Sequence, residues 1–333
     1  MCVAATRAEA EDLAAEVVVE IEDLPAVVDM LAARSATPPA LVHDEWGDNV
    51  FLHTHVPGAV DAVKAEAAHV VRRRIRTARQ SMAPIEGRGV VCEWNRRLDQ
   101  LVMTSSAQMP HINRAGLSEC LGIDQGRIRV ISPDVGGGFG YKAILLPEEI
   151  CLAWLAMHLG RPVRWLEDRR EQLTANANCR EHDYDITVYA TADGRLLAVD
   201  CDATVDSGAY SSYPFSACLE AAQVASILPG PYKMEAYACR TWSVATNKPP
   251  ILPYRGVART GVCFAIELMI DAVARAAKLE PHAVRRANLV QPHEMPYDNI
   301  TGKHFDSGDY PQALERALAA LDLPKWRARQ QRG

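Results

Sequence analysis

The stretch Asp134–Lys142, DVGGGFGYK, places four glycines in nine residues and leaves one aromatic, Phe139, standing among them. Such a bare backbone reaches positive φ without steric cost, lets another group come up against the main chain, and can turn successive N–H groups inward as an anion-binding nest. The loop follows a strand-like segment, RIRVIS (Arg127–Ser132), and precedes a helix start at Pro147, the position at which phosphate-like groups are held. Two common phosphate motifs are nevertheless absent. Gly136, Gly138 and Tyr141 do not satisfy G-x-G-x-x-G, and Gly140-Tyr141-Lys142 is not the G-K-[ST] of a P-loop. A Rossmann-type nucleotide enzyme also fails on the order of strands and helices. Taken alone, the loop reads equally as a structural turn or as a ligand cradle.

The chain has 333 residues, 48% of them hydrophobic, enough for one sizeable core or two. The basic run VVRRRIRTAR (Val70–Arg79) alternates with Val70, Val71, Ile75 and Ala78. In a chain of net charge −6 it reads as a strand with a solvated face, and no nucleic-acid partner is expected. No apolar run approaches the ~20 residues of a membrane span, and residues 1–20 are acidic and Ala-rich rather than signal-like. A cytoplasmic protein with no membrane partner is expected. Nine scattered cysteines exclude the compact Cys-x-x-Cys patterns of zinc ribbons and iron–sulfur clusters. If the chain takes part in redox chemistry, the electrons must leave through groups held elsewhere.

The N-terminal residues predict a helix over Thr6–Glu16, a strand in VVVEIED (Val17–Asp23) and a turn on prolines, an α/β fragment that looks like the tail of a domain. A loop rich in His, Asp and Gly spans His43–Gly58. Strands are expected near Ile75–Ala78, Gly89–Trp94 and Leu101–Ser105. Helices are expected over Ile112–Leu121, Pro147–Leu159, Ser211–Ile227, Gly261–Lys278 and Tyr310–Leu321. The helix Pro147–Leu159 carries its own punctuation: proline in the first turn, Glu148 and Glu149 at the positive end of the dipole, Gly160 after it. DYDITVYA and RLLAVDCDATV around TADG read as a hairpin. The chain stops soon after a helix, in KWRARQQRG, and both ends look cut.

Four stretches, in order and at sensible spacing, carry a family resemblance: APIEGRG (Ala83–Gly89), TSSAQMPH (Thr104–His111), DVGGGFGYK with LPEE after it, and LPYRGVART (Leu252–Thr260). Together they resemble the large subunit of molybdenum hydroxylases, the xanthine dehydrogenase, aldehyde oxidase and carbon monoxide dehydrogenase family. The linking stretches GRPVRWLEDRREQLTA, DGRLLAVDCDATVDSGAY and ELMIDAVARAAKLEPHAVRRANLV are similar to the same subunit, so the likeness covers nearly the whole chain.

The resemblance implies an α+β fold: the remnant of a hammerhead-like α/β domain over 1–45, a linker over 46–69, a first molybdenum-cofactor-binding domain over 70–302, and the start of a second over 303–333. It implies a molybdenum-pyranopterin cofactor, with or without a cytosine dinucleotide, to which the protein gives no ligand atoms, only hydrogen bonds and shape. In that scheme Gln108 donates its side-chain amide to a metal oxygen. Gly138, Phe139 and Gly140 bring main-chain N–H groups to the site, Phe139 walls it, and Arg255 binds oxygens of the pterin or of a metal ligand. Arg259 is expected to make a structural or cofactor-phosphate contact. His111, His158 and His182 read as surface or satisfied core residues, and Glu86 and Glu171 as salt-bridge partners of Arg88 and Arg170. No catalytic residue is expected within the chain, because the family's general-base glutamate lies in a second cofactor-binding half with no counterpart before Gly333.

The departures narrow the chemistry. Gly256 stands where carbon monoxide oxidisers carry a cysteine, which argues against a copper-bridged site, and Ala143 stands where purine oxidisers carry a glutamate. ARTG replaces the commoner Gly-Arg-Pro ending of that loop. The function implied is hydroxylation of an electron-poor C–H, of an aldehyde or an N-heteroaromatic, in a complex with a chain carrying the second half and with iron–sulfur and flavin subunits. The alternative is an inactive fragment or assembly module.

Overall fold

The computed structural model describes residues 1–332 and shows an α+β fold in which nine of the eleven described strands form two sheets, the other two, Tyr297–Asp298 and His304–Phe305, pairing as a short ribbon. The strands are β1 (Val50–Val56), β2 (His69–Thr77), β3 (Gly89–Asn95), β4 (Gln100–Ser105), β5 (Ile128–Ile131), β6 (Val163–Leu166), β7 (His182–Ala190), β8 (Leu196–Asp206) and β9 (Ala236–Val244). The larger sheet has the order β1-β9-β8-β7-β2 and the smaller β5-β4-β3-β6.

The larger sheet grows from the expected hairpin. Thr191 N–H donates to Arg195 O at 2.9 Å, Gly194 takes φ +82°, and β7 and β8 pair from His182↔Val205 to Ala190↔Leu196. The basic run lies on edge strand β2, where Val71 and Ile75 face inward and Arg72 and Arg74 form ion pairs with Asp185 and Asp183 on β7. The run is therefore a solvated face with its charge answered across the sheet. Helix Arg259–Ala277 buries Val262, Ile266, Met269, Ile270 and Val273 in one core with Val71, Ile75, Tyr184 and Ile186, so the apolar stripe of the helix fills the inward side of β2 and β7.

The smaller sheet is covered by helices Pro110–Leu121 and Pro147–Leu159, which close a core of Val90, Cys92, Leu101, Met103, Leu117, Leu152 and Ala156. The second helix has the bounds its punctuation predicts, with Pro147 opening it and Gly160 closing it at φ +58°. Its Glu149 is buried, which pushes the carboxyl above the usual range. It accepts from Leu146 N–H at 2.9 Å and from Ser105 Oγ at 2.8 Å, which ties the helix start to the end of β4.

Several expectations need correction. Val17–Asp23 is not a strand: it is irregular and exposed, because β-branched residues form a strand only with a neighbour to pair with, and none of the described residues runs alongside. Residues 46–69, read as a linker, contain β1, which pairs antiparallel with β9 from Val50↔Val244 to Val56↔Cys239. Upstream, Val27, Met30 and Ala33 bury against Val244 and pack on the same sheet. The helix expected over Ser211–Ile227 covers only Leu219–Ile227, since Pro214 and the serines before it favour a loop. β9, AYACRTWSV, lacks the β-branched alternation that predicts a strand: it buries Tyr237 and Cys239 in one core and Ala236 and Ala238 in another.

Met103 is fully buried in the middle of β4, the strand that leads to the site. Met103→Ala is expected to lower unfolding free energy by about 2–5 kcal/mol in a urea titration. A loss below about 1 kcal/mol would show that this core does not hold β4 as described.

Candidate functional site

β4 ends at Ser105 and the chain reaches Gln108 just before helix Pro110–Leu121. Two hydrogen bonds join this strand end to the glycine loop: Gln108 N–H donates to Lys142 O at 2.8 Å, and Gly140 N–H donates to Gln108 Oε1 at 2.9 Å. Only the amide oxygen can accept from an N–H, so the second bond fixes which way the carboxamide points. The Nε2 group is left outward, with no acceptor among the described residues.

The glycines allow this approach in distinct ways. A Cβ on Gly138 would overlap the Gln108 side chain; one on Gly140, which sits at φ +103°, would overlap the carbonyl oxygen of Pro253. Phe139, between them, takes the left-handed conformation at φ +58° and remains 41% exposed, its ring lying over Gly137. A bulky residue held in that region with its ring in solvent is strained for a reason other than packing. Its carbonyl accepts from Arg255 N–H at 2.8 Å, which ties the Pro253–Gly256 loop to the glycine loop. Gly140 N–H is committed to Gln108, whereas Gly138 N–H and Phe139 N–H have no acceptor among the described residues.

Arg255 projects an exposed guanidinium without a protein partner among the described residues. Its backbone is held by Arg180, whose guanidinium donates to Arg255 O and lies 4.2 Å from the centre of the Tyr254 ring. Nothing near Arg180 in the sequence marks this role. The five residues singled out, Gln108, Gly138, Phe139, Gly140 and Arg255, are thus gathered by two hydrogen bonds, Gly140 N–H to Gln108 Oε1 and Arg255 N–H to Phe139 O, made at either side of the consecutive residues Gly138–Gly140.

Behind the loop lies a buried network that the sequence does not announce. Tyr141 Oη donates to Glu167 Oε1 at 2.5 Å, and burial, with this bond, pushes the phenol well above its usual range. Glu167 also pairs with Arg88 at 3.0 Å, and the guanidinium lies over the rings of Tyr141 and Trp165. Arg88 is therefore not the partner of Glu86. Glu86 instead pairs with Lys142 at 2.6 Å, and that ammonium holds its carboxyl below the usual range. Glu171 does not pair with Arg170 either, its arginine contact being Arg7 at 3.9 Å. It closes a capping box with Asp168, accepting from Asp168 N–H at 2.8 Å.

The histidines do not converge. His182 is buried between Tyr184 Oη and Glu220 Oε2, at 2.7 and 2.6 Å, while His111 and His158 are exposed on separate helices. Arg259 donates to Gln223 Oε1 at 3.0 Å.

A site made of a fixed carboxamide, bare main chain, a standing aromatic and a free arginine suits a group that the protein holds without ligating. Residues 42–289 match the molybdopterin cofactor-binding domain, and the chain belongs to that family, within the large subunits of molybdenum hydroxylases. It is 36% identical over 332 residues to the nicotine 6-hydroxylase large subunit of Paenarthrobacter nicotinovorans, covering 99% of this chain and 40% of that one. It is 30% identical over 285 residues to the nicotinate dehydrogenase large molybdopterin subunit of Eubacterium barkeri, covering 84% of this chain and 65% of that one. The crystal structure of quinoline 2-oxidoreductase from Pseudomonas putida 86 superposes with a TM-score of 0.94 at 35% identity, over 99% of this chain and 42% of that one. The chain thus spans about 40% of the length of the first of these relatives.

Gly140→Ala is expected to destabilise the chain by at least about 1–3 kcal/mol, from left-handed strain alone, and to release the Gln108 carboxamide. Chemical denaturation reads the first and the side-chain amide signals of Gln108 in an NMR spectrum the second. Unchanged values for both would contradict the geometry.

Proposed function

We propose that this chain is the part of a molybdenum hydroxylase large subunit that cradles the cofactor, completed by a chain bearing the second cofactor-binding half and relieved of electrons by iron–sulfur and flavin (FAD) subunits. The observation that carries the reading is the Gln108 carboxamide, locked by Gly140 with its NH2 group free beside the two unpaired N–H groups of Gly138 and Phe139. The residues fit a molybdenum-pyranopterin, with or without a cytosine dinucleotide, because they offer neutral donors and room at the main chain and no cluster of metal-ligating side chains among the described residues. When bound, that group supplies the oxidation of an electron-poor C–H with water-derived oxygen.

The chain's own residues then do four things. Gln108 Nε2 would donate to an oxygen of the bound group, and a neutral donor would do so without adding a net charge to the site. Gly138 N–H and Phe139 N–H add main-chain donors, Phe139 excludes water, and Arg255 offers its planar fork to pterin or ligand oxygens. The proton-accepting carboxylate is assigned to the partner half. The nicotine-, nicotinate- and quinoline-named relatives favour a small N-heteroaromatic substrate over an aldehyde, and Ala143, where purine oxidisers carry a glutamate, speaks against a purine. Nine unpaired cysteines support a reducing, cytoplasmic setting.

Co-expression with the second half should yield a complex carrying about one molybdenum per pair of chains, in keeping with a single cradle built by both. Gln108→Ala and Arg255→Ala are each expected to weaken cofactor retention about 10–100-fold, as for one lost hydrogen bond to a charged group. A fully assembled complex without metal or pterin would sink the reading.

A further inference from the structure

A loop of Gly136, Gly137, Gly138 and Gly140 has much conformational freedom to lose, and something must hold it. The geometry points to Glu86 and Lys142 as a positioning pair that clamps both ends of this loop and so presents the free N–H groups of Gly138 and Phe139 to the cofactor; this rests on the function proposed above.

Glu86 uses both carboxylate oxygens. Oε1 accepts from Lys142 Nζ at 2.6 Å, and Oε2 accepts from Gly136 N–H at 2.8 Å. The carboxylate therefore spans residues 136 and 142, the two ends of the loop. Gly136 makes room for it, since a Cβ there would overlap the Glu86 side chain. Lys142 in turn carries the carbonyl that accepts from Gln108 N–H, so the clamp continues through Lys142 into the strand end that bears the carboxamide.

The burial of Lys142 separates this pair from an ordinary surface bridge. The residue is 2% exposed, and Glu86 is the only acidic partner of its ammonium among the described residues. A buried ammonium is a poor way to gain stability, because apolar side chains of similar volume usually serve at least as well, but it fixes a single arrangement of its surroundings. Here the arrangement fixed is that of the loop. Both residues are positioning residues that act through the backbone they hold.

The test uses Glu86→Gln, nearly isosteric and able to keep the bond to Gly136 N–H, and Lys142→Met. Two readouts are needed: amide hydrogen exchange of the hydrogen-bonded Gly136, Gly137 and Gly140 in the cofactor-free full chain, and the rate of pterin loss from the assembled complex. Exchange and pterin loss are each expected to rise roughly tenfold in Glu86→Gln, as for one weakened charge-assisted hydrogen bond. Circular dichroism should be unchanged. Wild-type exchange rates in Glu86→Gln overturn the proposal, and so does fast exchange with wild-type pterin retention. If Lys142→Met does not fold, Glu86→Gln decides alone. A wild-type complex that carries no pterin defeats the proposed function instead, while the exchange experiment still reports on the clamp.

Discussion

One hydrogen bond, from Gly140 N–H to Gln108 Oε1, joins the two parts of the molecule on which the site depends. On one side stands a strand whose position is set by a packed core; on the other, a loop with almost no side chains of its own. The bond makes the loop borrow the rigidity of the sheet, and it determines which end of the carboxamide faces outward. The second join, from Gln108 N–H to Lys142 O, keeps the two from pivoting about that single contact.

The rest of the site extends from this point by backbone contacts. Phe139 O receives Arg255 N–H, and Arg180 secures Arg255 from behind. Phe139, Gly140, Arg180, Gly256 and Val257 all occupy the left-handed region. Conformations of that kind persist only where surroundings over-determine them, and they gather where function requires a particular presentation of the main chain. The buried Tyr141–Glu167–Arg88 group lies directly behind the loop, where its closely spaced hydrogen bonds leave little freedom for Tyr141 to shift.

What could be read from the sequence was local. The helix Pro147–Leu159 declares its ends through Pro147 and Gly160, and the hairpin through its TADG turn, because caps and turns are decided by near neighbours. The glycine loop was legible as a place of close approach, and the ordered motifs pointed to the family. The joins were not legible. Glu86 and Lys142 are 56 residues apart and Arg180 and Arg255 are 75 apart, and in each case a nearer residue of opposite or compatible charge offers itself as the partner. Strands β1 and β9 escaped for a related reason. Their histidines, alanines and cysteines acquire a side only once the sheet exists, whereas Val17–Asp23, with the stronger strand composition, has no ladder to join.

That unpaired ribbon has a practical consequence. Val18, Val19 and Ile21 present β-branched side chains to water beside unclaimed backbone donors and acceptors, a ready template for addition of a foreign strand. The neighbouring Glu20, Glu22 and Asp23 act as gatekeepers by mutual repulsion, and salt weakens that protection. In the isolated chain, high ionic strength therefore favours strand addition at this segment, which is remote in sequence from the residues of the cradle.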